Sequence, residues 1–216
     1  MTFPFSSAMK FAACVLAGAL LGMPAAAAPI YVNPPDVIYT SNSSVPFDIN
    51  GDGTDDYQLL LNAGLLGSSV QWEGLGSNSV AVDLFFIFPY MMGLQEGDVV
   101  GPDLWYGSGD WTVRGTSILG NSGQWPNDLN DPLFAGLRFV SGGQTYYGWV
   151  RIGASARYGL NAQAQAIVYD WAYESTPNTA ITIGIPSAAE VPEPSSFALL
   201  ALGALGIVAL KKRARG

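Results

Sequence analysis

The sequence predicts an all-β protein, a single domain with a β-sandwich or jelly-roll-like fold, and three observations support this prediction. Between Ile30 and Ile185, short apolar segments alternate with clusters of Gly, Asn, Asp and Pro, as in strands separated by turns. The same stretch has no sustained 3.6-residue apolar period, which argues against amphipathic helices. Many short strands at regular spacing favour a sandwich or jelly roll over a barrel.

Nine segments are predicted as strands because they are rich in β-branched, aromatic and aliphatic residues and are bounded by turn residues. The first three are short segments flanked by Pro, Asp or Gly, and the fourth is a long apolar run. A glycine-rich polar stretch, residues 93–111, follows and is interpreted as a connection or a binding loop. In chain order the predicted strands are residues 37–40, 57–61, 69–72, 80–88, 111–116, 133–140, 145–152, 162–173 and 181–185.

The clearest local pattern is a β-hairpin formed by the sixth and seventh predicted strands. Residues 134–139 and 146–152 are both strand-like, and Ser141-Gly142-Gly143-Gln144 lies between them. A two-residue hairpin turn requires a positive φ, and Gly142 and Gly143 can adopt it without steric cost.

The first 27 residues have the pattern of a secretory signal peptide. Lys10 precedes an apolar core at residues 11–23, and Pro24 and a run of alanines follow. A basic residue, a short apolar core and small residues before the cleavage point are typical of such signals. We expect cleavage by signal peptidase after Ala27, which leaves an exported domain at residues 28–190.

The C-terminal segment, residues 191–216, has three parts. Pro192-Glu193-Pro194 comes first, an apolar run of 14 residues (197–210) follows, and the basic residues come last. As a helix the run would be about 21 Å long, which is short for a permanent transmembrane helix. Basic residues beside a membrane segment stay on the cytoplasmic side, so they predict its orientation. These orienting residues are Lys211, Lys212, Arg213 and Arg215.

This segment resembles the PEP-CTERM sorting domain, whose namesake motif is Pro192-Glu193-Pro194. The resemblance implies export, transient anchoring in the inner membrane by a C-terminal helix, and processing by an exosortase. Proteins with such tails often come from bacteria that make exopolysaccharide, so exopolysaccharide is an expected partner in the cell envelope or outside the cell. The alternative is an ordinary tail anchor preceded by a Pro-rich linker.

Removal of both terminal segments changes the charge of the protein. Four arginines and 16 acidic residues remain between residues 28 and 190, so the net charge is 4 − 16 = −12. This charge argues against nucleic acid as a partner, because phosphate binding requires a positive surface. The single cysteine, Cys14, lies in the predicted signal peptide, so the domain must be stabilised by its core and not by disulfides.

One turn has the residue spacing of a calcium-binding loop. From position 48 onward, oxygen-bearing side chains recur at positions 1, 3, 5 and 9, and Gly53 occupies position 6, where an EF-hand loop turns sharply. Position 12 is Leu59 and not the usual Glu, and the flanking segments are strand-like, so the turn is similar to the calcium loops of dockerins with one ligand missing. The cofactor prediction is Ca²⁺ with an affinity of about 10⁻⁴ M or weaker; the alternative is a polar turn that binds no metal. The predicted ligands are Asp48, Asn50, Asp52, Thr54 and Asp56.

The sequence gives no support for catalysis. It contains no histidine, and the domain has no cysteine or lysine, so the common general bases and nucleophiles are missing. We therefore expect a non-enzymatic cell-surface or matrix protein that acts with exopolysaccharide. The alternative is a carbohydrate-binding module in which aromatic side chains stack on sugars; the same rings would otherwise pack inside the sandwich. The candidate rings are Tyr147, Trp149, Trp171 and Tyr173.

Overall fold

The computed structural model describes residues 29–85 and 88–184, and these residues form strands and turns with no helix. The all-β prediction is therefore confirmed. The strands are β1 (Pro29–Val32), β2 (Ile38–Thr40), β3 (Ser43–Phe47), β4 (Tyr57–Ala63), β5 (Gly67–Gly74), β6 (Ser79–Phe85), β7 (Phe88–Met91), β8 (Val99–Val100), β9 (Tyr106–Gly107), β10 (Gly109–Ser117), β11 (Gly120–Ser122), β12 (Asp128–Ser141), β13 (Gln144–Arg157), β14 (Gln163–Glu174) and β15 (Ile181–Thr182).

The strands form three antiparallel sheets. The eight-stranded sheet has the order β1-β14-β13-β12-β6-β7, with β2 also paired to β14 and β9 also paired to β6. The five-stranded sheet has the order β11-β10-β5-β4-β3, and β15 and β8 form a two-stranded ribbon. Because β13 and β14 lie over β4, β5 and β10, the two large sheets pack face to face as a β-sandwich.

The main core lies between the two large sheets. Along β5 every second residue is buried, so one face of the strand points inward and the other is partly exposed. Trp72 is fully buried and stacks on Tyr57, with ring centroids 5.9 Å apart. The buried side chains include Tyr57, Leu59, Leu61, Val70, Trp72 and Val113 from the five-stranded sheet and Leu137, Phe139, Val150, Ile152, Ala166 and Val168 from the eight-stranded sheet.

A second core covers the outer face of the eight-stranded sheet. The predicted loop at residues 93–111 packs against this face, and Leu94 and Val100 from it are buried. The ribbon of β8 and β15 adds Ile181 and Ile183, which pack with Trp149 of β13. Part of the segment therefore forms a packed connection and not a free binding loop.

One ion pair lies on the same outer face. Arg151 Nε donates to Asp170 Oδ1 at 2.9 Å, and Tyr31 Oη donates to Asp170 Oδ2 at 2.7 Å. Asp170 is fully buried. The guanidinium of Arg151 lies between the rings of Phe134 and Tyr169, at 5.9 and 5.2 Å from their centroids.

The predicted strands agree with the structure except in a few places. Residues 80–88, predicted as one strand, instead form β6 and β7, since Phe85 pairs with Phe88 in an antiparallel register. The sequence did not indicate two strands, because residues 80–88 contain no Gly, Pro or Asn. The predicted sixth and seventh strands are both longer than expected, and β1, β3, β8, β9 and β11 were not predicted.

Both terminal segments lie outside the described residues. The signal peptide (1–27), the sorting motif Pro192-Glu193-Pro194, the C-terminal apolar run and its basic residues all fall there, as does Ile185. Among the residues that the structure describes, no helix has the length and apolar character needed to cross a membrane.

Candidate functional site

The predicted calcium loop is the turn between the edge strand β3 and its neighbour β4. Phe47 pairs with Tyr57, so the intervening residues 48–56 form a compact loop at one end of the sandwich. Gly51 and Gly53 have φ values of 73° and 88°, which L side chains rarely adopt. The strand-like flanks predicted from the sequence are thus confirmed, and Leu59 of β4 is buried in the core.

Asp48 holds the first part of this turn together. Its Oδ1 accepts hydrogen bonds from Gly51 N at 2.7 Å and Asp52 N at 3.2 Å, and its Oδ2 accepts one from Gly53 N at 2.8 Å. One carboxylate therefore accepts hydrogen bonds from three backbone N–H groups of the turn, which have no partner in a neighbouring strand.

Asp52 links the turn to the β12–β13 hairpin. Its Oδ2 accepts from Asn50 Nδ2 at 2.9 Å and from Ser141 Oγ at 3.0 Å, while its Oδ1 accepts from Thr54 N at 2.9 Å. These bonds, the one from Asn50 first, stabilise the carboxylate and lower its pKa. The turn and the hairpin thereby form a continuous polar surface.

Asp56 has a different environment, because its side chain is buried. Its Oδ2 accepts from Ile49 N and its Oδ1 from Asn78 Nδ2, both at 3.0 Å. Burial raises the pKa of Asp56, and these two hydrogen bonds oppose that effect. Asp56 therefore closes the base of the loop from inside.

The structure thus places all five predicted ligands in one turn, with Asp52 and Thr54 exposed, Asp48 and Asn50 partly buried, and Asp56 buried. Within the described ranges, no group of three or more Asp, Glu, His or Cys side chains is arranged to hold a metal ion. Calcium binding at this turn remains a prediction.

A cleft of about 260 Å³ adjoins the turn. Tyr146 stacks on the buried ring of Phe139, with centroids 5.5 Å apart and an interplanar angle of 20°. Tyr173 meets Phe139 edge-on at 5.6 Å, and both tyrosines are half-buried. Sequence reasoning missed Phe139 and Tyr146 as site residues. The cleft is lined by Ile30, Asn50, Asp52, Phe139, Ser141, Tyr146, Tyr173 and Ser175.

A second cleft, of about 410 Å³, borders Asp52 and Ser141 as well. It is more polar than the first, because Asp55, Asp56 and Asn78 line it together with backbone of the turn at residues 75–78. The hydrogen bond between Ser141 and Asp52 joins two residues that both clefts share. Together the turn, the hairpin and the two clefts make one candidate site, with tyrosine rings in one part and carboxylates in the other.

Three of the four aromatic side chains predicted as a sugar-stacking platform are packed inside the protein. Trp149 belongs to the outer core together with Tyr147, and Trp171 donates from Nε1 to Ile49 O at 3.0 Å within the main core. Of the two interpretations of these aromatic residues, packing inside the sandwich is therefore the right one for these three rings, because their strand positions point into the two cores. Tyr173 is the exception, since it lines the 260 Å³ cleft.

Comparison with known proteins identifies the C-terminal segment. Residues 190–213 match the PEP-CTERM protein-sorting motif. The motif implies an exported protein that is transiently anchored in the membrane and processed by an exosortase. The matched residues contain Pro192, Glu193 and Pro194. No curated protein and no solved structure matches the chain.

Proposed function

We propose that this protein is a non-enzymatic component of the cell surface or extracellular matrix whose exported domain contacts exopolysaccharide. The sorting motif at residues 190–213 is the observation that carries the proposal, because it implies export of the domain toward the cell surface. Signal peptidase removes residues 1–27, and an exosortase then releases the domain from its C-terminal segment.

The cleft beside the β3–β4 turn supports a contact with polysaccharide. Sugar rings present apolar C–H faces that stack on aromatic rings, and Tyr146 and Tyr173 supply such rings. Sugar hydroxyls need hydrogen-bond partners, and Asn50, Asp52 and Ser141 line the same cleft. The site thus combines the two kinds of group that a saccharide requires.

The residue content of the domain supports a binding role and not a catalytic one. The chain has no histidine, and residues 28–190 have neither cysteine nor lysine. In the candidate site, Asp48 and Asp56 use both of their carboxylate oxygens for hydrogen bonds within the domain. These hydrogen bonds stabilise the turn.

Calcium is the cation that we propose for the turn. Asp48, Asn50 and Asp52 supply oxygen atoms within five residues, Asp52 exposed and the other two partly exposed, in a domain that carries a large negative charge. A hard cation prefers oxygen ligands and would reduce the repulsion between these carboxylates.

Binding of the purified exported protein to the exopolysaccharide of its own cells tests the proposal. Tyr146→Ala should weaken co-sedimentation by about tenfold, which corresponds to roughly 1.4 kcal/mol, because a stacking surface is lost. Tyr158→Ala removes an exposed tyrosine away from the cleft and is the matched control. Equal binding by all three proteins would contradict a role for the cleft.

A carbohydrate-binding module in the strict sense is the second candidate, and the presence of tyrosines in a defined cleft favours it. A glycan array distinguishes the two. A module of this kind selects particular saccharides with one or two rings of fixed linkage, whereas a matrix protein binds the polymer through many weak contacts.

A further inference from the structure

Three turns at one end of the sandwich contain large apolar side chains, although turns usually carry polar residues. They connect β4 to β5, β10 to β11, and β13 to β14. All six of the apolar side chains are exposed, Leu119 by 93 % and Leu160 by 96 %. We call this set the apolar end: Leu65, Leu66, Ile118, Leu119, Tyr158 and Leu160.

The first two turns are neighbours in the five-stranded sheet. Gly67 pairs with Ser117, and Ile118 N donates to Leu66 O at 3.3 Å. Leu65, Leu66, Ile118 and Leu119 therefore form one surface and not separate exposed residues. A contiguous exposed apolar surface of this kind marks a contact with a membrane or another molecule.

The third turn lies at the same end. Ala164 N, at the start of β14, donates to Ser41 Oγ at 2.7 Å, and the adjacent Asn42 N donates to Leu61 O near the end of β4 at 2.6 Å. These bonds tie the β13–β14 turn to the β4–β5 turn across the two sheets. The apolar end is thus opposite to the candidate site, since β13 runs 14 residues, about 46 Å, from the hairpin at Gln144 to Arg157.

The distribution of charge separates these two ends. Residues 62–68, 117–121 and 157–162, which contain the three turns, include no Asp or Glu and one charged residue, Arg157. The β3–β4 turn at the other end contains Asp48, Asp52, Asp55 and Asp56. The domain has 16 acidic residues, and none of them lies in the three turns of the apolar end. The apolar end is therefore better suited than the β3–β4 turn to approach anionic lipid.

The last described residues run toward the apolar end. Asn178 N donates to Thr145 O at 2.8 Å beside the hairpin, and Ile181 then pairs with Val100 farther along the sheet, in the core around Trp149. After Gly184, 12 residues remain before the apolar run begins at Phe197. Fully extended, 12 residues span about 40 Å, which is enough for the apolar end to reach the bilayer that holds the run.

From these observations we propose that the apolar end is a membrane-contact surface, which seats the domain on the lipid bilayer while the C-terminal segment anchors it. This inference rests on the transient anchoring in the proposed function. Tethering keeps the domain near the lipid, so weak insertion of a few side chains is sufficient. Burial of each leucine side chain in the acyl region strengthens the contact by about tenfold. The candidate site then points away from the membrane toward polysaccharide.

Depth-dependent fluorescence quenching tests this arrangement. The full chain, after removal of its signal peptide, is reconstituted as one copy per nanodisc of phosphatidylethanolamine and phosphatidylglycerol at 3:1, with nitroxide-labelled lipid. A fluorophore on Leu119→Cys should be quenched, and one on Gln144→Cys, exposed at the hairpin, should not. Replacement of Leu65, Leu66 and Leu160 by serine should abolish the quenching at position 119, whereas Val99→Ser, an exposed aliphatic residue elsewhere, should leave it unchanged.

The outcomes separate the two proposals. Anchored protein with an unquenched label at position 119 would overturn the membrane contact and leave the anchoring intact. If the apolar end instead joins two copies of the protein, the label at position 119 would be unquenched in discs that hold one copy. Discs that hold two copies would then show energy transfer between the labels of the two copies, and the membrane contact would be overturned. A chain that does not enter nanodiscs would contradict the anchoring. In that case the labelled chain is mixed with vesicles of the same lipids. Equal quenching of the labels at positions 119 and 144 would overturn the membrane contact.

Discussion

At the scale of single residues, three carboxylates of one turn occupy three different environments. Asp48 binds backbone donors, Asp52 connects the turn to Ser141, and Asp56 is buried. Hydrogen bonds, that from Asn50 first, lower the pKa of Asp52, whereas burial raises the pKa of Asp56. Asp52 is thus exposed and Asp48 partly exposed at the surface of the turn, while Asp56 maintains the loop from inside.

Calcium is expected to raise the melting temperature of the domain. If the dissociation constant is about 1 mM, 10 mM calcium adds RT ln 11, or roughly 1.4 kcal/mol, to the free energy of unfolding. In a domain of this size the melting temperature rises by about 3–5 °C. Asp52→Ala should remove the shift, Asp55→Ala should retain most of it as the control, and magnesium should have a smaller effect.

Differential scanning calorimetry measures the melting temperature with calcium and with a chelator. Identical curves would show that the turn binds no metal and is a polar turn held by its own hydrogen bonds. A shift that persists in Asp52→Ala would place the cation elsewhere.

The Arg151–Asp170 pair provides a second prediction at this scale. Asp170→Asn should destabilise the domain by about 3 kcal/mol, because it leaves the guanidinium of Arg151 without its counter-charge at a mostly buried position. Tyr31→Phe removes only one hydrogen bond and should cost about 1 kcal/mol. Burial, followed by the bond to Asp170, raises the pKa of Tyr31 to about 12, so its hydroxyl remains a donor at neutral pH. Urea unfolding measures both; equal losses would contradict the assigned role of the ion pair.

At the scale of elements, the β12–β13 hairpin was predictable because its signal is local. Gly142 and Gly143 have φ values of 58° and 76°, as the two-residue turn requires, and Ser141 pairs with Gln144. Gly153 could not be interpreted from the sequence. A Cβ at this position would collide with the carbonyl oxygen of Leu129, which lies at the irregularity in the β12–β13 pairing between Asp128 and Leu133.

Substitutions at these glycines should therefore have different costs. Gly153→Ala should destabilise the domain by about 3 kcal/mol, because neither backbone segment can move away from the new Cβ. Gly142→Ala has open space around its Cβ and should cost about 1 kcal/mol for the unfavourable φ alone. Chemical denaturation of the two variants compares them; a Gly153→Ala variant as stable as Gly142→Ala would show that β13 and Leu129 do not pack this closely.

The candidate site shows the limit of sequence reasoning most clearly. The oxygen-bearing residues of the β3–β4 turn were recognised because they lie within nine positions. The cleft was not, because Asp52 and Ser141 are 89 residues apart and meet only when the two sheets pack. The four candidate aromatic residues lie in β-strands, as the sequence predicted. The side of the sheet that each ring faces depends on the strand register, and this register places Tyr146, not Tyr147, at the cleft.

At the scale of the whole molecule, the two ends of the sandwich differ in chemistry. One end presents tyrosines and carboxylates to the surroundings, and the other presents leucines with Arg157. A tethered domain with this polarity would hold the candidate site away from the bilayer. The sorting motif at residues 190–213 gives a reason for that polarity, since it implies that the exported domain is at first attached to a membrane.

Orientation of the C-terminal segment should depend on its basic residues. Replacement of Lys211, Lys212, Arg213 and Arg215 by glutamine removes the charge that keeps this end cytoplasmic. The precursor should then leave the membrane uncut and appear in the periplasm or medium. Pulse labelling follows both forms; unchanged processing would mean that the basic residues are dispensable.

The most direct test of the account is the intact mass of the exported protein. If an exosortase acts at or near Pro192-Glu193-Pro194, the mature protein should begin near Ala28 and lack residues 197–216. Mass spectrometry of protein collected from the cell surface and medium resolves this difference of at least 20 residues. A mature form that retains Lys211 to Arg215 would contradict processing at the sorting motif and, with it, the proposed route to the matrix.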